Sequence, residues 1–182
     1  MAHIVHIGFQ PLDRDYENRM GDFIRVPVDS ALLLADHGIR GDRKAGHNPE
    51  RQVNLLAREW LAARAREGYR AGPGQFGEQI VVGGLAVETL PPGTLLALGE
   101  EAILAITKAR TGCDRLAAAQ GKSIAGLGPI GVLARVVNGG RIYVGDAETA
   151  VWFGGSPVAY VVYPDTREGE AVPLAHIVAR DD

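Results

Sequence analysis

Short apolar segments, each closed off by glycine, proline or an Asn-Gly pair, recur along the whole of this chain. That punctuation constrains the fold more than any other feature. Such segments are too short for most helices but fit strands, and their regular succession suits an antiparallel barrel or sandwich. The 24 glycines and 10 prolines are spread along the sequence rather than gathered in one tail. Apolar residues continue between them, which is not the composition of a disordered linker. The expected fold is therefore mainly β: a small antiparallel β-barrel with one or two short helices on its rim.

Strands are expected at 2–9, 22–28, Gln79–Val82, Thr94–Leu98, Ala102–Thr107, Ile130–Val137 and Arg141–Val144. Two final strands are expected at Val158–Tyr163 and Val172–Val178. Ala31–Ala35 is a shorter apolar run, and Gln52–Leu56 reads as a strand feeding a helix. Asn138-Gly139 predicts a hairpin between the strands that flank it. Ala57–Glu67 is the best helix: it is rich in Ala, Leu, Arg and Glu, places Leu56, Trp60 and Leu61 within helical reach, and stops at Gly68. A short helical turn is expected between Cys113 and Gly121. There is no internal repeat, and 182 residues fit a single domain over 1–182.

Charge and cysteine usage exclude several function classes. A net charge of -3 argues against a general nucleic-acid binder, which is usually basic. No apolar run is long enough for a membrane-spanning helix. The opening Met-Ala-His-Ile-Val-His lacks the basic region and cleavage site of a secretory signal. With one cysteine there can be no internal disulfide, and the expected location is the reducing cytoplasm.

Several motifs point to familiar chemistry and lack its context. Gly72, Gly74, Gly77 and Gly126, Gly128, Gly131 both match G-x-G-x-x-G. A dinucleotide fingerprint needs a strand before it and a helix after it, and both matches lead into expected strands. His3 and His6 lie three apart on a strand and should face opposite sides. His37 and His47 flank a loop without a recognised ligand spacing, and His176 stands alone. No G-x-S-x-G elbow or C-x-x-C pair is present.

The residue with most chemical promise is Cys113, in Lys108-Ala-Arg-Thr-Gly-Cys-Asp-Arg-Leu116. It follows a strand, with Arg110 and Arg115 close by, and neighbouring cations favour the thiolate. A thiolate is a nucleophile, a sulfur carrier and a soft-metal ligand. A small buried hydrophobe is the competing reading. Two further loops are unusually specific. Gly38–Gly46, followed by Arg51, carries Arg40, Arg43 and Lys44 between glycines, where guanidinium groups can grip a phosphate or carboxylate. A solvated basic turn with Asp42 as its internal partner explains that loop as well. Gly74-Gln-Phe-Gly77-Glu78-Gln79 offers an acid and an amide that could hydrogen-bond the edge of a heterocycle, or could be a turn.

Taken in order, these loops resemble the MOSC family, the domain found at the C-terminus of molybdenum cofactor sulfurases. The resemblance rests on Gly38–Arg43, Gly74–Gln79, Pro92-Gly93 through Leu98-Gly99, Arg110–Cys113, and Gly128–Gly131 running through Ala134-Arg135-Val136 to Gly145-Asp146. It covers roughly 20–147, leaving 148–182 as C-terminal strands outside it. Three positions depart from the family pattern: Gln79 replaces the usual Asn, Gly112 the Pro before the cysteine, and Lys44 a common His. The resemblance implies a β-barrel with a cleft that binds a molybdenum cofactor of the molybdopterin type. It implies cofactor contacts from Arg40, Gly41, Asp42, Arg43, Gly77, Glu78, Gln79, Lys108, Arg110 and Thr111, with the cofactor phosphate at Arg40, Arg43 or Lys108. Cys113 would then ligate the molybdenum or carry sulfur as a persulfide, in molybdenum-dependent reduction or in sulfur transfer. A non-catalytic cofactor carrier and a barrel with an inert core cysteine are the alternatives. No pyridoxal phosphate site is evident; that cofactor would belong to a partner cysteine desulfurase. The other partner expected is a redox protein, with no nucleic acid and no membrane.

Overall fold

A computed structural model describes residues 2–13 and 22–146, together with the backbone of the short strands Glu148–Val151, Tyr160–Val161 and Val172–Pro173. The fold is mainly β. In chain order the first strands are β1 (His3–Phe9), β2 (Val26–Val28), β3 (Ser30–Leu34), β4 (Gly38–Ile39) and β5 (Val53–Ala57). Helix α1 (Arg58–Arg66) follows, then β6 (Ile80–Gly83), β7 (Leu95–Leu98) and β8 (Ala102–Ala109). Helix α2 (Asp114–Gln120) precedes β9 (Val132–Asn138), β10 (Gly140–Tyr143), β11 (Glu148–Val151), β12 (Tyr160–Val161) and β13 (Val172–Pro173).

Eight strands form the main sheet, in the order β11-β7-β8-β9-β5-β6-β1-β2. The sheet curls until its two sides meet. Ile4 N–H donates to Asp146 O and Gly145 N–H to Ile4 O, so the turn before β11 bonds to β1. A second sheet, β10-β3-β4, completes the enclosure. The core is made by inward Val, Ile and Leu side chains of both sheets, among them Ile4, Ile7, Leu33, Leu55, Ile80, Leu96, Leu104 and Ile142. A satellite cluster under α1 is centred on fully buried Phe76, whose ring meets Trp60 edge-on at 5.0 Å. No helix among the described residues is long and apolar enough to cross a membrane.

Helix α1 matches the expected Ala57–Glu67 span, ending where Gly68 takes φ +83°. Helix α2 fills the expected helical turn, with left-handed Gly121 closing it. The 22–28 strand is shorter than expected, forming only over Val26–Val28. The expected C-terminal strands survive at Tyr160–Val161 and Val172–Pro173; the rest of those two spans lies outside the described residues.

Three expectations need correction. First, the sheet is not wholly antiparallel: β5 and β6 run parallel, because α1 carries the chain back across. Second, Asn138-Gly139 does not close a hairpin. β9 stays in the main sheet while β10 pairs with β3, through Gly140↔Leu33 to Tyr143↔Ser30. The glycines permit this crossing by close backbone approach: a Cβ on Gly139 would lie 2.8 Å from Leu33 O, and one on Gly140 2.8 Å from Ala102 N. Third, a register shift between Ile4 and His6 breaks the alternation of β1. Ile4 and Ile7, three apart, are both fully buried, so His3 and His6 share the opposite face. Both G-x-G-x-x-G matches lead toward strands, β6 and β9, as the sequence suggested.

Candidate functional site

The end of β8 and the loop after it form one wall of a cleft of about 540 Å³. The loop is pinned to the barrel by two backbone bonds: Arg110 N–H donates to Gly131 O, and Ile130 N–H to Arg110 O. Cys113 then caps α2 in extended conformation, its carbonyl accepting from Leu116 N–H and Ala117 N–H. The thiol is exposed and lines the cleft, which removes the reading of an inert core residue. Gly112 is clasped from behind, since a Cβ there would meet Ile124 Cδ1 at 2.4 Å.

The opposite wall comes from the segment before β2. Arg25 threads its guanidinium along the second loop, donating to Glu78 O (3.0 Å), Gly77 O (2.6 Å) and Ile24 O (2.8 Å). Arg115 donates to Asp22 O and lies over the Phe23 ring at 5.2 Å. This packing explains Gly74 and Gly77: a Cβ on Gly74 would be 2.7 Å from Arg25 Cβ, and one on Gly77 would be 2.8 Å from the Phe23 ring. Both have positive φ, +84° and +80°. Their first duty is thus to admit the Phe23–Arg25 segment.

The polar residues of the second loop hold the protein together. Glu78 is fully buried, and its carboxylate accepts from Gly74 N–H (2.6 Å) and Phe76 N–H (3.1 Å). Burial pushes its pKa up, opposed by those backbone bonds and by Arg110 and Arg25. Gln79 links two motifs: its Oε1 accepts from Asn54 N–H (2.9 Å) and its Nε2 donates to Asp42 Oδ2 (2.6 Å). Asp42, 2% exposed, also accepts from Gln10 N–H at Oδ1 (3.2 Å). The acid of the Arg40–Gly46 turn thus points inward and ties the turn to Gln10 and Gln79. Gly41 takes φ +81° at the corner of that turn.

Cations face the cleft from every side: Arg25, Lys44, Arg51, Lys108, Arg110 and Arg115. Among the described residues no carboxylate lines it. Arg110 is 8% exposed; one Nη donates to Phe76 O, and the other has no partner. Burial lowers the pKa of Arg25 and Arg110, but a guanidinium stays protonated at neutral pH. Lys44 is pushed down to about 8, by burial first, then by Arg25 and Arg115; Asp42 opposes this and Arg51 adds to it. Lys108 is drawn toward Glu50, 3.6 Å away, with both side chains largely in solvent.

Of the residues singled out from the sequence, Gly77, Lys108, Arg110, Thr111 and Cys113 line this cleft. Arg43 and Gln79 line a smaller chamber beside it, while Arg40 lines neither. Asp42 and Glu78 are buried in the scaffold. Phe23, Arg25 and Asn54 also line the cleft and carried no sequence signal of their own. Among the described residues no group of three or more His, Cys, Asp or Glu could hold a metal ion.

The curled β-sheet thus carries a cationic cleft with a lone thiol on its wall. The MOSC domain profile matches residues 42–149, and the chain belongs to the MOSC family, which is associated with the molybdenum cofactor. Solved structures agree on the fold. YiiM from Escherichia coli superposes with a TM-score of 0.62 at 21% identity, over 85% of this chain and 72% of its own. YiiM from Geobacillus stearothermophilus gives 0.62 at 21%, over 84% and 76%. A hypothetical protein of known crystal structure gives 0.59 at 25%, over 81% of this chain; the chain spans 65% of that protein's length. No protein of curated function matches the chain.

Proposed function

We propose that this protein binds a molybdopterin-type molybdenum cofactor in the cationic cleft and presents Cys113 to its metal. One observation carries the reading: the single thiol of the chain is exposed on the wall of a cleft to which six cations, Arg25, Lys44, Arg51, Lys108, Arg110 and Arg115, contribute. The residues fit such a group. The unpartnered Nη of Arg110 is a buried donor that an anionic ligand would satisfy, since leaving it unpaired costs about 1–3 kcal/mol. The volume is in the range of small-molecule sites, roughly 300–1,000 Å³. Of the three candidate phosphate partners, Lys108 lines this cleft, and Arg110 and Arg115 stand with it. When bound, the cofactor supplies a redox-active molybdenum that a soft thiolate can ligate.

The chain's own part is to bind, orient and offer sulfur. Arg25 and Arg110 hold the Phe76–Glu78 backbone and so fix the cleft wall. A second role is favoured by the exposure of Cys113: a sulfur carrier must be reached by the partner that loads it. In that role a cysteine desulfurase supplies the persulfide and keeps the pyridoxal phosphate; in the first, a redox protein supplies electrons. Turnover as an oxidoreductase or sulfurtransferase, rather than simple carriage of the cofactor, is part of this proposal.

The test is elemental and pterin analysis of protein made in a cofactor-competent host, for wild type and Cys113→Ser. A ligand role predicts loss of molybdenum or of reductase activity in the variant. A carrier role predicts loss of a persulfide mass increment with cofactor retained. Wild-type protein that takes up neither molybdenum nor pterin sinks the proposal.

A further inference from the structure

The exposed thiol of Cys113 and one buried arginine share the wall of the cleft. Arg110 is 8% exposed and lines the same space. One of its Nη atoms donates to Phe76 O, and the other is buried without a hydrogen-bond partner. An unmet buried donor of this kind favours a ligand that brings an anionic oxygen. Glu78 attracts Arg110, but its carboxylate oxygens are engaged by Gly74 N–H and Phe76 N–H. Lys44 and Arg51 also line the cleft, and neither is ion-paired to a carboxylate among the described residues. Lys108 shares its charge with Glu50, and Arg115 is held by Asp22 O and the Phe23 ring. Exposure selects which thiols are oxidised, and a positive surround concentrates anionic reagents beside them.

We propose that Cys113 is a site of reversible S-thiolation by the disulfide of a carboxylate-bearing low-molecular-weight thiol, with one carboxylate of the attached group on the unpartnered Nη of Arg110. Cys113 first loses its proton to water, and the thiolate attacks one sulfur of the disulfide. The S–S bond of the reagent breaks, a new one forms to Cys113 Sγ, and the other half leaves as a thiolate that takes up a proton. Cys113 is oxidised and the departing thiol is reduced; excess thiol of the same class reverses the exchange. A capped sulfur can neither ligate molybdenum nor carry a persulfide. That consequence rests on the function proposed above; the modification itself does not.

The full chain is made in a host without the cofactor, and its conversion is followed by intact mass at neutral pH and low salt. The reagents are glutathione disulfide, which is net negative, and cystamine, which is net positive. Each rate is divided by the rate of the same disulfide with mercaptoethanol, which removes its intrinsic reactivity. The normalised rate should be about tenfold or more higher for glutathione disulfide, and the difference should collapse at high salt. Arg110→Gln should bring the glutathione rate down toward the cystamine rate. Because Arg110 also holds Phe76 O, a melting curve checks that this variant folds. Arg51→Glu alters an exposed side chain of the same cleft, and in it the preference should narrow or reverse. Equal normalised rates with wild type overturn the proposal, as does a preference that either folded variant leaves unchanged. Protein that is S-thiolated as expected but never loads molybdenum in a competent host sinks the proposed function and leaves this inference standing.

Discussion

Exchanging the amide and the carboxylate of Gln79 and Asp42 should destroy and then restore the join between the Arg40–Gly46 turn and the Gly74–Gln79 loop. In the native pair Asp42 accepts twice and Gln79 donates once and accepts once, all four groups being buried. Asp42→Asn turns an amide NH₂ toward the Gln79 NH₂. Flipping Gln79 does not help, because its Oε1 is needed by Asn54 N–H. The variant loses a bond to a charged group, about 1.5–3 kcal/mol, and strands a buried donor, about 1–3 kcal/mol; the two overlap, so the cost should be about 2–4 kcal/mol. Gln79→Glu puts two carboxylates in contact that cannot both ionise at that distance, and should cost about as much. The double variant satisfies every group again. The acceptor at position 79 takes both Asn54 N–H and the new amide at 42, which still accepts Gln10 N–H. Net charge is unchanged from wild type. Its stability should return to within about 1 kcal/mol, a coupling well above the scatter of independent sites. Urea unfolding at neutral pH gives all four free energies. A double variant that loses the sum of the two single losses would falsify the bonding scheme.

Three further outcomes are expected. Cys113→Ser should leave the melting temperature nearly unchanged because the thiol is exposed, and native wild type should alkylate as readily as unfolded protein; protection in the native state would contradict the site. Lys44 holds its proton less tightly folded, about 8, than at its ordinary value of 10.5, so between those values the unfolded state binds more protons and this group's contribution to stability rises with pH. Lys44→Met should therefore raise the melting temperature in phosphate-free buffer at neutral pH, with a gain that shrinks toward pH 10.5; a gain independent of pH would show that burial of the charged amine, with Arg25 and Arg115 adding to it, is not its cause. Gly131→Ala places a Cβ 2.0 Å from Leu55 O at φ +69° and should cost about 3 kcal/mol or more, whereas Gly126→Ala, at φ +82° in open space, should cost about 1–2 kcal/mol; equal denaturation midpoints would refute the steric argument.

What the sequence could reveal divides along the range of the forces involved. The strands from β5 to β9, the stop of α1 at Gly68 and the helical turn after Cys113 were legible because apolar runs, propensity and glycine caps act locally. The Asn138-Gly139 signal is local too, yet it misdirected: β9 runs through Asn138, and after Gly139 the chain crosses to pair β10 with Leu33 and its neighbours on β3. Parallel pairing of β5 with β6 has no signature in either strand alone. At the site, the sequence pointed to Cys113, Lys108 and Arg110 because charge and sulfur are visible as letters. It could not show that Asp42, Glu78 and Gln79 turn inward, since the same letters serve a ligand or a backbone N–H equally well. Arg25 was invisible because it stands alone in an apolar stretch, and only the fold brings it to Gly77 and Glu78.

The pairing of β10 with β3 also sets an order of events. The strands β7, β8 and β9 are consecutive antiparallel neighbours and carry the thiol loop between β8 and β9. The longest connection of this meander, 110–131 between β8 and β9, is far shorter than the closure that joins β10 to β3, so the meander can zip earlier. Joining β10 to β3 closes a loop on the order of a hundred residues, which costs more entropy and comes late. Arg25, Lys44 and Arg51 lie within or beside that late-closing part of the chain. During folding the sulfur and three of its cations, Lys108, Arg110 and Arg115, should therefore come together first, and the cleft beside Cys113 gains Arg25, Lys44 and Arg51 only as the last sheet forms.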